Sequence, residues 1–187
     1  MPPKVKITES EIVQTALELL RVGGAQAVNA RSIAAALNCS TQPIFSNFAS
    51  MDELRLAVTE DAYQLYWSYL DREIESGKYP EYKASGMGYI RFAKEEKELF
   101  KLLYMCDRSS APIPDDNDQI LKMTSIVHHC TGLDIPTAQL FHLEMWAYVH
   151  GIATMFATGY LDLDWELVNK MLSDAYLGLR KQYGMEE

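Results

Sequence analysis

Residues 29–48 read Asn-Ala-Arg-Ser-Ile-Ala-Ala-Ala-Leu-Asn-Cys-Ser-Thr-Gln-Pro-Ile-Phe-Ser-Asn-Phe. Asn29 has the side chain of a helix N-cap, and Ile33, Ala34 and Leu37 follow at helical spacing. Asn38 comes directly after the last apolar position and tolerates the left-handed conformation that ends a helix. The pattern predicts a short helix and then a tight turn.

A second short helix follows the turn. Ser40 is its predicted N-cap, and Pro43 falls in the first turn, where a backbone N–H has no intrahelical partner. Thr41 and Gln42 are then exposed at the N-terminal end. Two short helices of this kind are typical of a helix-turn-helix, which places its second helix in the major groove of DNA.

The flanking segments carry equally clear helix signals. Residues 8–11, Thr-Glu-Ser-Glu, fit a capping box before an apolar run over residues 12–20, which Gly23 and Gly24 end. Residues 50–53, Ser-Met-Asp-Glu, fit a second capping box that opens a fourth helix. We therefore predict a three-helix DNA-binding head over residues 1–50.

This ordered series of features resembles the TetR family of bacterial transcriptional regulators. Residues 12–20 resemble the first helix of the family, and Gly23-Gly24 resembles its glycine turn. Ile33-Ala34 resembles its second helix, and residues 45–48, Phe-Ser-Asn-Phe, resemble its Tyr-x-His-Phe signature. The resemblance implies a homodimer that binds an inverted-repeat operator.

The chain departs from the family pattern at three positions. The family usually has Tyr and His where this chain has Phe45 and Asn47, and Lys where it has Met51. The missing hydroxyl and ammonium are groups that the family points at phosphates. A dimeric helical ligand-binding or interaction module with weak or lost DNA binding is therefore the principal alternative. A helical enzyme is a weaker one, because no nucleophile, acid and base form a recognisable set.

Composition and charge limit the class of protein. The chain has 187 residues, 48% of them hydrophobic, and no apolar run long enough for a membrane span, so we expect a cytoplasmic protein. The net charge is −9, but residues 1–50 hold four basic and three acidic residues, so the head carries +1 and the remainder −10. Weak positivity predicts few phosphate contacts per subunit.

The body, residues 51–187, reads as helical throughout, which predicts an all-α fold of about nine helices. Residues 109–117 contain two prolines and are the clearest loop. The predicted body helices cover residues 51–76, 80–93, 98–106, 120–131, 136–158 and 164–183.

Residues 140–157 are apolar on nearly every side of their helix. Leu140, Leu143 and Ala147 form one stripe, and a second stripe contains Phe141, Met145, Tyr148, Ile152 and Met155. A helix that is apolar all round must be covered on all sides. A partner subunit is the expected cover for one face, which predicts a homodimer through the last two helices. A central helix buried in a monomer is the alternative.

A second resemblance covers residues 89–179. Residues 89–93, Tyr-Ile-Arg-Phe-Ala, and residues 146–151, Trp-Ala-Tyr-Val-His-Gly, look like the Trp…His-Gly (WHG) pattern of a ligand-binding domain in one branch of TetR regulators. The family joins its subunits through the last two helices, the arrangement that the apolar stripes also predict.

The resemblance implies a small-molecule effector in the body. Aromatic and Met side chains make an adaptable apolar wall. The candidate lining is Tyr63, Tyr66, Trp67, Met87, Phe100, Tyr104, Met105, Trp146 and His150, with ordinary core packing as the alternative for each. We expect His150 to be a hydrogen-bonded core histidine or a ligand contact rather than a catalytic base.

No cofactor or metal is expected. Residues 128–130, His-His-Cys, are adjacent on a helix and lack the three- or four-residue spacing that converges on one ion. Cys39, Cys106 and Cys130 match neither a disulfide framework nor a zinc module, so we expect small buried hydrophobic side chains.

The predicted function is a ligand-responsive transcriptional regulator, with a repressor as the expected type. Thr41 and Gln42 are the expected base readers, whereas Phe45 and Phe48 are expected to hold the recognition helix to the head. The predicted DNA-binding set is Lys4, Lys6, Arg31, Ser32, Ser40, Thr41, Gln42, Pro43, Phe45 and Asn47.

Overall fold

A computed structural model describes residues 7–106 and 116–185 of the chain. These residues form nine α-helices and one short 3₁₀ turn, and no strand occurs among them, which confirms the all-α prediction. The helices are α1 (Glu9–Gly23), α2 (Ala30–Ala36), α3 (Gln42–Asn47), α4 (Met51–Glu75), α5 (Glu81–Glu95), α6 (Lys97–Tyr104), α7 (Asp116–Thr131), α8 (Ile135–Thr158) and α9 (Trp165–Gln182). The 3₁₀ turn, Ala25–Ala27, was not predicted.

Local capping explains where α1 begins and ends. The Thr8 hydroxyl accepts the N–H of Glu11, and the Glu11 carboxylate accepts the N–H of Thr8, so the predicted capping box is complete. Gly24 follows the helix with φ at 71°, a left-handed value that glycine adopts without a steric cost. Both predicted ends of α1 are confirmed.

The helix-turn-helix is also built by its caps, with one correction. The Asn29 side chain accepts the N–H groups of Arg31 and Ser32, and Asn38 has φ at 52°, as the turn requires. The predicted N-cap Ser40 is wrong. Thr41 precedes α3 and makes no side-chain capping bond, while Ser40 is an exposed turn residue.

The N-terminus of α4 has a modified capping box. The Ser50 hydroxyl accepts the N–H of Glu53, as predicted. The Glu53 carboxylate, however, accepts the N–H of Ala49 rather than that of Ser50. The Glu53 carboxylate therefore also fixes Ala49, which lies in the connection between α3 and α4.

The chain divides into two compact units, Met1–Trp67 with Glu96–Cys106, and Ser68–Glu95 with Asp107–Glu187. In the first unit, α1 packs against α2, α3 and α6. Its core includes Ile12, Ile33, Ile44, Leu54 and Phe100, all inaccessible to solvent. The functional division at residue 50 stays a prediction, since compactness groups residues by contact and not by role.

The second unit is organised around α8, which packs against α5, α7 and α9. Phe141 and Ile152 of α8 and Val168 and Leu172 of α9 lie in its core. The approach of α5 is close at Gly88, where an added Cβ would lie 2.9 Å from both Leu70 Cα and the Tyr69 carbonyl oxygen. A glycine is required at this crossing.

The structure also tests the predicted burial of the cysteines. All three cysteines are free, but the expected burial is wrong for Cys106 and Cys130, which are exposed, whereas Cys39 is partly buried. Most of the predicted loop over residues 109–117 lies outside the described residues. Within the described ranges, no helix is long and apolar enough to cross a membrane.

Candidate recognition helix and effector-binding residues

Helix α3, the candidate recognition helix, packs against the rest of the first unit through one side only. Ile44 and Phe48 are buried, whereas Gln42, Phe45 and Ser46 are exposed. The prediction that Phe48 holds the helix to the head agrees with its burial. For Phe45 the prediction is wrong, because 53% of this side chain is exposed.

Other polar groups of α3 are bonded within the unit. The Ser46 hydroxyl donates to the Gln42 carbonyl oxygen at 2.8 Å. The Asn47 amide donates to the Pro43 carbonyl oxygen at 2.7 Å and to the Ile7 carbonyl oxygen at 3.5 Å. Asn47 therefore ties the end of α3 to the segment before α1.

The remaining DNA-binding candidates have different environments. Arg31 lies exposed in the first turn of α2. Ser32 is partly buried, and its Oγ accepts the N–H of Asn29 at 3.2 Å, which completes the capping box of α2. The Ser32 hydroxyl also lies within donating distance of the carbonyl oxygens of Ala27 and Asn29. Lys4 and Lys6 lie outside the described residues.

The nine effector candidates divide between the two units. Tyr63, Tyr66, Trp67, Phe100, Tyr104 and Met105 belong to the first unit, and Met87, Trp146 and His150 to the second. In the first unit, the Tyr104 ring lies 5.6 Å from that of Tyr66 and 5.3 Å from that of Phe100. Tyr63 and Trp67 extend this aromatic cluster of α4 and α6.

In the second unit, the two motifs of the Trp…His-Gly resemblance meet. The Tyr89 hydroxyl lies 2.9 Å from His150 Nδ1, and the Trp146 ring stacks on the imidazole with centroids 4.9 Å apart. Burial lowers the pKa of His150, which favours the neutral imidazole. A neutral ring can accept a hydrogen bond from the Tyr89 hydroxyl at Nδ1. These contacts agree with the expected hydrogen-bonded core histidine.

A second histidine of α8 has a comparable partner. The Tyr82 hydroxyl of α5 lies 3.0 Å from His142 Nδ1. Burial lowers the pKa of His142 to about 4. Two Tyr–His pairs thus join α5 to α8, and the sequence analysis missed both Tyr82 and His142.

The two predicted stripes of α8 face different surroundings. Phe141, Met145 and Ile152 of one stripe are buried, although Tyr148 of the same stripe is exposed. The other stripe is exposed: Leu140 shows 50% and Leu143 56% of its surface, and Ala147 is also exposed. Gly151 continues this exposed α8 stripe, and a Cβ added there would meet nothing within 4 Å.

Two basic residues of α5 pack on the first residue of α9. The Arg91 guanidinium lies 4.4 Å from the centre of the Trp165 ring and forms an ion pair with Glu73. Lys94 Nζ lies 5.5 Å from the same ring.

Among the described residues, no group of three or more His, Cys, Asp or Glu side chains could hold a metal ion.

Comparison with known proteins gives the family. Residues 82–174 match the model of the tetracyclin repressor-like C-terminal domain. The chain belongs to the TetR family. It is therefore a transcriptional regulator and not an enzyme. A comparison with curated proteins finds no match.

Solved structures share this TetR fold over nearly the full chain. A TetR-like transcriptional regulator from Rhodococcus sp. RHA1 has a TM-score of 0.67 at 17% identity and covers 96% of this chain and 98% of its own. A member of the TetR family from Streptomyces coelicolor A3 has a TM-score of 0.61 at 14% identity and covers 89% of this chain and 96% of its own. At such identities the likeness concerns the fold alone.

Proposed function

We propose that this TetR-family chain is a homodimeric repressor that leaves an inverted-repeat operator when a small molecule binds. The capped helix-turn-helix carries the proposal, since it holds Ile44 and Phe48 inward and exposes Gln42 in the first turn of α3. A side chain at this end of a recognition helix reaches base edges in the major groove.

Specific contacts are assigned to few side chains. Gln42 pairs with a base edge, and Thr41, beside it, is the second base reader. Arg31, Ser40, Lys4 and Lys6 contact phosphates or the groove wall. Asn47 acts through the position of α3, because its amide is bonded to Pro43 and Ile7. Two-fold symmetry places the half-sites about one helical turn, or a multiple of it, apart.

Dimerisation is assigned to α8 and α9. The exposed α8 stripe has apolar side chains that its own subunit does not cover, and Gly151 leaves room for a close approach. On α9, Leu167 and Leu177 are exposed as well. The same surface on a second copy would cover these side chains in a self-complementary interface.

The proposed effector is a lipophilic or aromatic molecule, and the net charge of −10 on residues 51–187 favours a cationic one. Its binding lowers DNA affinity only if the state that it prefers binds DNA less well. At about a hundred times its dissociation constant, such a ligand stabilises the fold by roughly 2.7 kcal/mol. A thermal-shift screen of aromatic cations therefore tests the assignment.

Tryptophan fluorescence can then separate the two groups of candidates. Trp67→Phe removes the tryptophan signal of the first-unit cluster. Trp146→Phe removes the signal of the tryptophan that stacks on His150. A hit whose quenching survives both substitutions binds elsewhere and contradicts the assigned lining.

Operator binding is tested by footprinting the purified chain on the DNA that flanks its own coding region. We expect protection of a palindrome, and loss of that protection in Gln42→Ala. A dimer that protects no sequence would instead support the interaction module that has lost DNA binding.

A further inference from the structure

Phe45 is the only large apolar side chain on the exposed face of α3. Residues three and four apart share one side of a helix, so Gln42, Phe45 and Ser46 face the same way. The ring is 53% exposed, whereas the neighbouring Ile44 and Phe48 provide the packing that holds α3 in place. Packing within its own unit leaves about half of the Phe45 side chain in water, so a partner outside the chain could cover it.

The chemistry of the ring limits what that partner can be. Phe45 has no hydroxyl and cannot donate a hydrogen bond to a phosphate oxygen. Of the groups that the four ordinary bases present in the major groove, only the C5-methyl of thymine is apolar. A phenyl ring that enters this groove gains apolar contact at a thymine and at no other base.

We propose that Phe45 is a specificity-determining residue that packs on a thymine methyl in each half-site. The inference rests on the proposed operator binding and adds the base that the ring selects. Gln42 is well placed beside it, since a Gln side chain can bond adenine at both N6 and N7.

The spacing of the two side chains places them over one A·T pair or over two neighbouring ones. Three residues of helix advance about 4.5 Å along its axis, close to the spacing of about 3.4 Å between successive base pairs. Gln42 and Phe45 then face the same or neighbouring base pairs. Each half-site should therefore contain an adenine and a thymine on the pair or pairs under α3.

The test removes only the methyl group. Operator duplexes are selected from a random library with the full-length chain, and the best duplex is resynthesised with deoxyuridine at each half-site thymine in turn. At one thymine per half-site, we expect this change to weaken binding by about four-fold, and by about fifteen-fold when both half-sites are changed. Fluorescence anisotropy measures the affinities.

A protein variant shows whether Phe45 senses the methyl. Phe45→Ala should bind the thymine and deoxyuridine duplexes equally well, while Phe45→Leu should keep part of the difference. Val22→Ala is the matched control, because Val22 is 91% exposed at the end of α1 and should leave the methyl dependence unchanged. Circular dichroism checks that each variant is folded.

The outcomes separate the inference from the proposed function. A selected operator that tolerates deoxyuridine at every half-site thymine overturns the role of Phe45 and leaves operator binding intact. The same follows if Phe45→Ala retains the full methyl dependence. An unmodified chain that selects no sequence overturns the proposed function, and the role of Phe45 with it.

Discussion

Asn47 and Phe45 of α3 differ in environment, and we have proposed a recognition role only for Phe45. The amide of Asn47 bonds Pro43 within the helix and Ile7 before α1, so it sets the orientation of α3. Phe45 points its exposed ring away from the core. The two positions where the chain departs from the family signature thus have different environments, and the proposed specificity rests on Gln42 and Phe45.

Met51 tests whether the start of α4 approaches the DNA backbone. It is the first residue of α4, where free N–H groups and the helix dipole favour an anion. Met51→Lys should add one phosphate contact per subunit, which steepens the slope of log affinity against log salt by roughly 1.8 for a dimer. Titrations at several salt concentrations measure the slope.

Gln42→Ala is the matched comparison for this variant. It should lower the discrimination between operator and random DNA by roughly 1 to 3 kcal/mol per half-site and leave the salt slope unchanged. Phosphate contacts position the protein, whereas base contacts specify the sequence. If the slope of Met51→Lys equals that of the unmodified chain, the start of α4 does not meet DNA.

We expect His142 to make the stability of the chain depend on pH. The unfolded chain binds a proton at this imidazole below about pH 6.5, but the folded chain does so only near its lowered pKa of about 4. The contribution of the neutral ring is complete above pH 6.5 and is lost as the pH falls to about 4, by roughly 3 kcal/mol in all. Urea unfolding over this range measures it.

His142→Gln keeps an acceptor for the Tyr82 hydroxyl and removes the titrating group. We expect a flatter stability profile between pH 6.5 and 4 in this variant. His129→Gln, an exposed change on α7, should retain the full slope. Equal profiles for the unmodified chain and His142→Gln would rule out this histidine as the source.

Local capping determines where helices begin, whereas contacts between distant residues determine how helices cross. Caps such as Thr8, Asn29 and Asp164 bond backbone N–H groups two or three residues on, so local sequence explains where α1, α2 and α9 begin. The crossing of α4 and α5 depends instead on Gly88, which meets the backbone of residues 69 and 70.

Gly88→Ala should therefore weaken the second unit. Its Cβ would lie 2.9 Å from backbone atoms that cannot rotate away, and we expect a loss of roughly 2 kcal/mol in the free energy of unfolding. At Gly86, two residues earlier, the nearest atom is the flexible Leu172 Cδ2 at 3.2 Å. Gly86→Ala should change stability by less than about 1 kcal/mol, because helix propensity offsets the contact. Equal losses would contradict the distinction.

These contrasts explain how far the sequence could predict the structure. The nine helices and most of their ends followed from periodicity and capping, which are local. The Tyr89–His150 bond joins residues 61 apart, and no local pattern predicts such a pair. The exposure of Phe45 and of Cys130 was mispredicted for the same reason: both are apolar residue types, and burial depends on what packs nearby.

The two stripes of α8 allow folding and the proposed dimerisation to be tested separately. Phe141 and Ile152 hold their own subunit together, as do Leu172 and Val168 of α9. Leu140 and Leu143 leave about half of their surface in solvent. A substitution at buried Phe141 or Ile152 would destabilise the subunit as well as any interface, so exposed positions such as Leu140 and Leu143 are the ones that test the interface.

The last prediction concerns the oligomeric state. In the double variant Leu140→Glu with Leu143→Glu, two carboxylates replace exposed apolar side chains, and burying them unpaired in an interface would be costly. We expect light scattering to give a folded monomer, with a helical circular dichroism spectrum like that of the dimer. Leu121→Glu, a change at a position 61% exposed on α7, is the control and should remain a dimer. The monomeric variant should bind a single half-site weakly and lose protection of the palindrome, because the second half-site no longer adds its contacts. An unmodified chain that is monomeric at micromolar concentration, or a double variant that stays dimeric, would place the interface elsewhere.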